Sequence, residues 1–150
     1  MMDIKKHIVV TDWANKNKYK GNTLKLTLNS DQRKILRGKR LSDCNQEIHL
    51  QLPREGKLND GDILQTNHKN LFVEIIAKKE NLIKISASFK VELIKAAYHL
   101  GNRHVEVEIY EDVLLTKSDY IIEELLKNLE VDFSKSVRKF SPESGAFNHD

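Results

Sequence analysis

The hydrophobic pattern of the chain changes period once, near residue 86, and that change limits what it can fold into. Before it, apolar residues recur at every second position: Leu24, Leu26 and Leu28 in TLKLTLN, then Ile48, Leu50 and Leu52 in EIHLQLP. Strand side chains alternate between two faces, so each run buries one face and wets the other. Pro53 ends the second run, because proline cannot donate to a ladder. Between them DQRKILRGKRLSD holds Gly38 in polar surroundings, which predicts a hairpin turn at that glycine. Asp60-Gly61 marks another turn, and LFVEIIA, residues 71 to 77, reads as a more fully buried strand. No long helical period occurs before residue 86, so residues 1–77 are expected to form a small all-β domain.

Past the polar run Lys78-Lys79-Glu80-Asn81 the pattern differs. LIKISA, residues 82 to 87, is a strand, and SFKVELIKAAYHL is a helix capped near Ser86 or Ser88 and stopped by Gly101. Phe89, Leu93, Ala96 and Leu100 form its apolar stripe, flanked by Ile94 and Ala97. HVEVEI alternates again and DVLLT is a further strand. DYIIEELLKNL is a second helix, capped by Ser118 or Asp119, with Ile121, Ile122, Leu125 and Leu129 inward and Glu123 four residues before Lys127. VDFSKSVRKF is a last strand. The order β-α-β-β-α-β is that of an α+β ferredoxin-like domain, here residues 78–140. The tail SPESGAFNHD, residues 141–150, has little to pack and is expected to be flexible.

Charge and cysteine usage narrow the function classes. Twenty-five basic and 22 acidic side chains leave a formal charge of +3, a small and dispersed excess for a nucleic-acid binder. The exception is RKILRGKR, residues 33 to 40, where Arg33, Lys34, Arg37, Lys39 and Arg40 could meet phosphates or an acidic partner. The same charges would also sit on a solvated hairpin and discourage edge pairing, and no aromatic-interleaved strand accompanies them. A single cysteine, Cys44, in the polar run Ser42-Asp43-Cys44-Asn45-Gln46, excludes an intramolecular disulfide and a thiolate cage within one chain. An unpaired thiol fits a reducing cytoplasm. The IVV of the N-terminus is too short for a signal peptide, and no segment approaches the roughly 20 apolar residues of a membrane span. A cytoplasmic protein is expected.

No P-loop, no Gly-x-Ser-x-Gly elbow and no nucleophile paired with a base occurs, so catalysis has little support. The chemistry concentrates in AAYHLGNRH, where His99 and His104 flank a Gly-Asn-Arg turn. His99 falls in the last helical turn, where an imidazole meets the carbonyl end of the dipole and reads as a capping or partly buried residue. His104 opens the next strand, on a polar face with Glu106, Glu108 and Tyr110, and is a candidate ligand. The five-residue spacing is not the i,i+4 clamp of helical zinc sites. His7, His49 and His68 are scattered over the first half and read as non-ligands. His149, in the tail, reads either as a solvated residue or as an extra ligand. A metal-assisted hydrolase using His104 with Glu106 and Glu108 is the enzymatic alternative; a nucleic-acid-binding module using residues 33–40 is the other.

Tyr98-His99-Leu100-Gly101-Asn102-Arg103-His104, DYIIEELLKNL and the closing Pro142-Glu143-Ser144-Gly145-Ala146-Phe147 together resemble the urease accessory protein UreE family of nickel metallochaperones. EIHLQLPREGKLNDGDIL resembles the same family more loosely. The resemblance implies an N-terminal β domain like the peptide-binding domain of Hsp40 chaperones, and a C-terminal ferredoxin-like domain through which two chains form a homodimer. It implies a cytoplasmic, non-enzymatic role: delivery of Ni(II) cargo to apo-urease together with the accessory GTPase, without nucleic acid or membrane. The family's interfacial nickel histidine falls on His104, and His149 falls in a tail whose histidines add ligands. With one tail histidine, two His104 and one or both His149 would make up the site. Imidazole also suits Zn(II) and Cu(II), so the ligand type alone does not select the metal.

Overall fold

The computed structural model describes residues 7–17 and 21–145. Their backbone contacts divide into two compact units, one up to Lys78 and one from Lys79.

The first unit holds strands β1 (Ile8–Trp13), β2 (Asn22–Leu28), β3 (Arg37–Leu41), β4 (Glu47–Gln51), β5 (Ile63–Thr66) and β6 (Leu71–Ala77). They form one mixed sheet in the order β2-β6-β5-β1-β4-β3, with β1 parallel to β4 and β2 parallel to β6. The period-two residues behave as alternation requires. Leu26, Leu28, Ile48, Leu50 and Leu52 are buried, in one core with Ile8, Val10, Leu64, Val73 and Ile75.

One expected turn of this unit lies elsewhere. Gly38 does not turn the chain; it lies inside β3 opposite Leu50. The turn is Ser42–Gln46, where the Gln46 amide donates to Ser42 Oγ at 3.0 Å and Asn45 takes a φ of 65°. Short polar side chains that bond their own backbone make that turn, so no glycine is needed. Strand β1 has no counterpart among the sequence expectations, since three consecutive apolar residues carry no period from which to read a strand. The basic run lies partly on β3, an edge strand. Lys39 pairs with Glu47 at 3.3 Å, and the Arg37 Nε donates to the Leu52 carbonyl at 3.2 Å. Arg33 departs from the picture of a solvated hairpin: it is buried. Cys44 lies exposed in the Ser42–Gln46 turn.

The second unit runs β7 (Lys79–Ile85), α1 (Lys90–Asn102), β8 (Glu108–Ile109), β9 (Leu114–Lys117), α2 (Tyr120–Asn128) and β10 (Phe133–Lys139). Its sheet is antiparallel throughout, in the order β10-β7-β9-β8. Alternation assigns its two faces. Ile83, Ile85 and Leu114 pack with Leu93, Ala96 and Leu100 of α1 and with Ile122 and Leu126 of α2. Leu82 and Leu115 point the other way, into a small cluster with Phe140 and Val113.

Here too the register moves in places. The polar residues Lys79 to Asn81 belong to β7, because they pair with Lys139 to Val137 of β10. Phe89, rather than Ser86 or Ser88, stands at the N-cap of α1, and no side chain caps it. Phe89 and Ile94 are exposed. Asp119 caps α2, its carboxylate accepting from the Ile121 amide at 2.7 Å. Ile121 is exposed, and Leu126 is buried in its stead: with Tyr120 as the first residue, the inward stripe runs through Ile122 and Leu126. Lys127 pairs with Glu124 at 3.5 Å, not with Glu123. Among the described residues no helix is long and apolar enough to cross a membrane.

Candidate metal centre

Helix α1 does not stop at Gly101. It continues through Asn102, and the residue that turns left-handed is His104, at φ 58°. The His104 amide donates to the Gly101 carbonyl and the Val105 amide to the Leu100 carbonyl, each at 3.0 Å. These are the two bonds of a Schellman ending with Arg103 as C-cap. Leu100 and Val105 both pack into the core below the turn, the apolar contact that accompanies this ending. Helix α2 ends in the same way, with Glu130 at φ 57° and bonds from Glu130 to Lys127 and from Val131 to Leu126. A left-handed residue with a Cβ costs roughly 1–2 kcal/mol. His104 is therefore held in an unfavourable backbone conformation, with its side chain exposed at the corner between helix and sheet.

The expected polar face of residues 104 to 110 is only partly realised. His104 lies in the turn and not in a strand, and β8 contains only Glu108 and Ile109. Glu106 lies 3.7 Å from the Lys117 ammonium. Glu108 accepts a 2.5 Å hydrogen bond from the Tyr110 hydroxyl and a 3.2 Å bond from the Ser141 amide. The bond to Glu108 raises the Tyr110 pKa above its ordinary value, partial burial adds to the shift, and the Arg138 guanidinium 5.6 Å over the ring opposes it. Both carboxylates of the hydrolase alternative are thus engaged by other groups. A shallow cavity of about 380 Å³ in this unit is lined by Lys84, Tyr110, Glu111, Asp112, Val113 and Arg138, not by His104, Glu106 or Glu108.

His99 is half-buried in the last turn of α1. Its ring meets that of Tyr98 edge-on at 5.5 Å, and its carbonyl accepts from Arg103 Nη1 at 3.4 Å. His149 lies outside the described residues. In the first unit the histidines are less scattered than the sequence suggests: His7 and His49 have ring centroids 4.8 Å apart, and the His68 Nε2 donates to the His7 carbonyl at 3.0 Å. Parallel pairing of β1 with β4 brings the first two together, which no local pattern reveals. Glu47 sits 3.4 Å from the His49 ring, with a pKa lowered chiefly by its hydrogen bond to Lys39. Among the described residues no group of three or more His, Cys, Asp or Glu side chains is arranged to hold a metal ion.

Residues 80–150 match the family model described as "UreE urease accessory protein, C-terminal domain". Over 149 residues, 99% of this chain, it is 69% identical to a protein named urease accessory protein UreE from Prochlorococcus marinus subsp. pastoris (strain CCMP1986 / NIES-2087 / MED4), covering 97% of that protein. The chain belongs to the UreE urease accessory protein family. A UreE from Prochlorococcus marinus (strain MIT 9312) is 68% identical over 149 residues, and all of that protein is covered. One from Synechococcus sp. (strain CC9311) is 42% identical over 124 residues, 83% of this chain and 80% of that one. As a member of a family of accessory proteins, the chain is not itself an enzyme.

Proposed function

We propose that this chain is a nickel metallochaperone that acts on urease: it carries Ni(II) as cargo on histidines shared between two copies and delivers it to apo-urease in the cytoplasm, together with the accessory GTPase. The observation that carries this reading is the setting of His104. It is exposed at the end of a helix whose outward side, opposite its buried stripe, presents Val91, Ile94 and Tyr98, each more than half exposed. A contiguous apolar surface of this kind suits association. In a two-fold contact the same patch meets itself, so a residue at the rim of the patch is brought towards its own copy. Within one chain the described residues offer no three-ligand group, and a site completed by a second chain answers that shortage.

The second unit is read as a ferredoxin-like domain, supported by its βαββαβ order and its strand order β10-β7-β9-β8. The first is read as the partner-binding β domain. The chemistry suits a carrier. Few protein ligands at an exposed corner leave open coordination positions for a recipient to attack, whereas a closed thiolate cage would retain the ion. His149 serves as the auxiliary ligand, and Zn(II) or Cu(II) would compete for the same imidazoles.

Nickel calorimetry with mass measured alongside tests this reading. Wild type should bind about one tightly held ion per two chains, as a pair of shared imidazoles requires. His104→Ala should abolish that binding, and His149→Ala should only weaken it. Unchanged affinity in His104→Ala would dismiss the reading.

A further inference from the structure

Two histidines far apart in the chain share one outward face of the first sheet. In β1 and β4 the residues Ile8, Val10, Ile48 and Leu50 are buried, so Val9 and its ladder partner His49 lie on the opposite face. His7 is two residues before Val9 and belongs to that face as well. Its ring centre stands 4.8 Å from that of His49, with the planes tilted by 37°. The backbone that presents His7 is pinned. Its carbonyl accepts from Asn67 Nδ2 at 2.8 Å and from His68 Nε2 at 3.0 Å, and Asn67 Oδ1 accepts from the Val9 amide at 2.8 Å. The His49 ring has a carboxylate beside it: Glu47 Oε2 lies 3.4 Å from its Nε2, while Oε1 faces the Lys39 ammonium at 3.3 Å. A carboxylate at Nε2 favours the tautomer with its proton there, which leaves the lone pair on Nδ1.

We propose that His7 and His49 form a second metal site, held within one chain, for a divalent transition-metal ion that favours imidazole. The ring spacing suits it. An ion about 2.1 Å from one nitrogen of each ring would stand roughly 3.2 Å from each ring centre. The two centres would then be about 4.5 Å apart for a right-angled pair of ligands and about 5.2 Å apart for a tetrahedral pair. The observed 4.8 Å lies between these values. A ligating histidine commonly donates its other N–H to a carboxylate, which fixes the tautomer and strengthens the donor nitrogen, and Glu47 stands where that partner is needed. Two imidazoles make an open site with water in its other positions, in keeping with the lack of any three-ligand group among the described residues. His7 is exposed and the His49 side chain is 25% exposed, so an ion reaches both from solvent. Copper(II) stands at the top of the divalent series and should bind there more tightly than nickel or zinc. Scatter along the chain speaks against these histidines as ligands, and the β1–β4 pairing removes it. The site needs no second copy and stands whether or not His104 carries nickel.

The test is a copper(II) titration of the full chain carrying His104→Ala, which removes the proposed shared site, followed by calorimetry and electron paramagnetic resonance. This parent should take up about one ion per chain, with the nitrogen hyperfine pattern of two imidazoles. Adding His7→Ala or His49→Ala should weaken that binding by more than about tenfold, since a lost ligand costs more than a lost supporting contact. His49→Phe separates ligation from packing: it keeps an aromatic ring against His7, offers no donor atom, and should lose the ion as fully as His49→Ala. Glu47→Ala, which leaves both imidazoles in place, should weaken binding about tenfold. Copper uptake that is unchanged by His7→Ala or by His49→Phe overturns the proposal, and so does a spectrum that shows a single imidazole nitrogen.

Discussion

His104 combines two roles that pull against each other. As the left-handed residue of a Schellman ending it occupies a position where glycine is preferred, and as the proposed ligand it must keep its imidazole. His104→Gly should therefore raise the unfolding free energy by about 1 kcal/mol while removing nickel binding. Glu130→Gly, at the equivalent position of α2, should stabilise by a similar amount and leave nickel affinity unchanged. Chemical denaturation of the two variants, paired with metal titration, checks both statements; a destabilised His104→Gly would mean that the imidazole packs favourably enough to offset its backbone. The motif around His104 makes the residue legible in the sequence, but not its conformation. Gly101 looks like the left-handed residue because it is the glycine of the segment. The position is set instead by burial of Leu100 and Val105, which pulls the Val105 amide onto the Leu100 carbonyl and carries the helix through Asn102. His7 and His49 show the same limit: their proximity depends on a parallel pairing between strands some forty residues apart, and a local pattern has no access to it.

Strands with clean alternation, such as β2 and β4, were readable because one buried face demands period two. The helices were readable in extent and less so in rotation. Ile121 and Leu126 exchange places once Asp119 fixes where α2 begins. Residues 140–143 were unreadable for another reason: they form no ladder of their own and are ordered by the Glu108 carboxylate, the Val107 carbonyl and the cluster that Phe140 joins. Glu108 also carries a pH signature. Glu108 accepts from the Tyr110 hydroxyl and raises its pKa, so the folded chain favours the protonated phenol. A raised folded-state value means that this contribution is complete below the ordinary tyrosine pKa of about 10 and is lost as pH climbs through the higher folded value. Ultraviolet titration should show a tyrosine ionising above the ordinary value, and that late step should disappear in Tyr110→Phe. A Tyr110 that ionises at the ordinary tyrosine value would disconnect the phenol from Glu108.

The two proposed functions of the α1 surface, association and metal sharing, separate under mass action. An ion that binds only the paired chains stabilises the pair by RT ln(1 + [L]/Kd), so nickel at about 100 times its Kd should tighten the dimer about 100-fold. The apolar patch and the histidine contribute to different parts of that result. Ile94→Glu puts a charge in the middle of the exposed Val91–Ile94–Tyr98 stripe and should weaken association with and without nickel, because a carboxylate at a self-complementary contact meets its own copy. His104→Ala leaves the stripe intact, so it should still associate as the metal-free wild type does and should lose only the tightening by nickel. Sedimentation equilibrium of the three proteins, each with and without nickel, distinguishes the contributions. If nickel tightens His104→Ala as much as wild type, the ion bridges the chains elsewhere. If Ile94→Glu associates normally, the outward face of α1 is not the contact, and His104 would have to meet its partner through some other surface of the second unit.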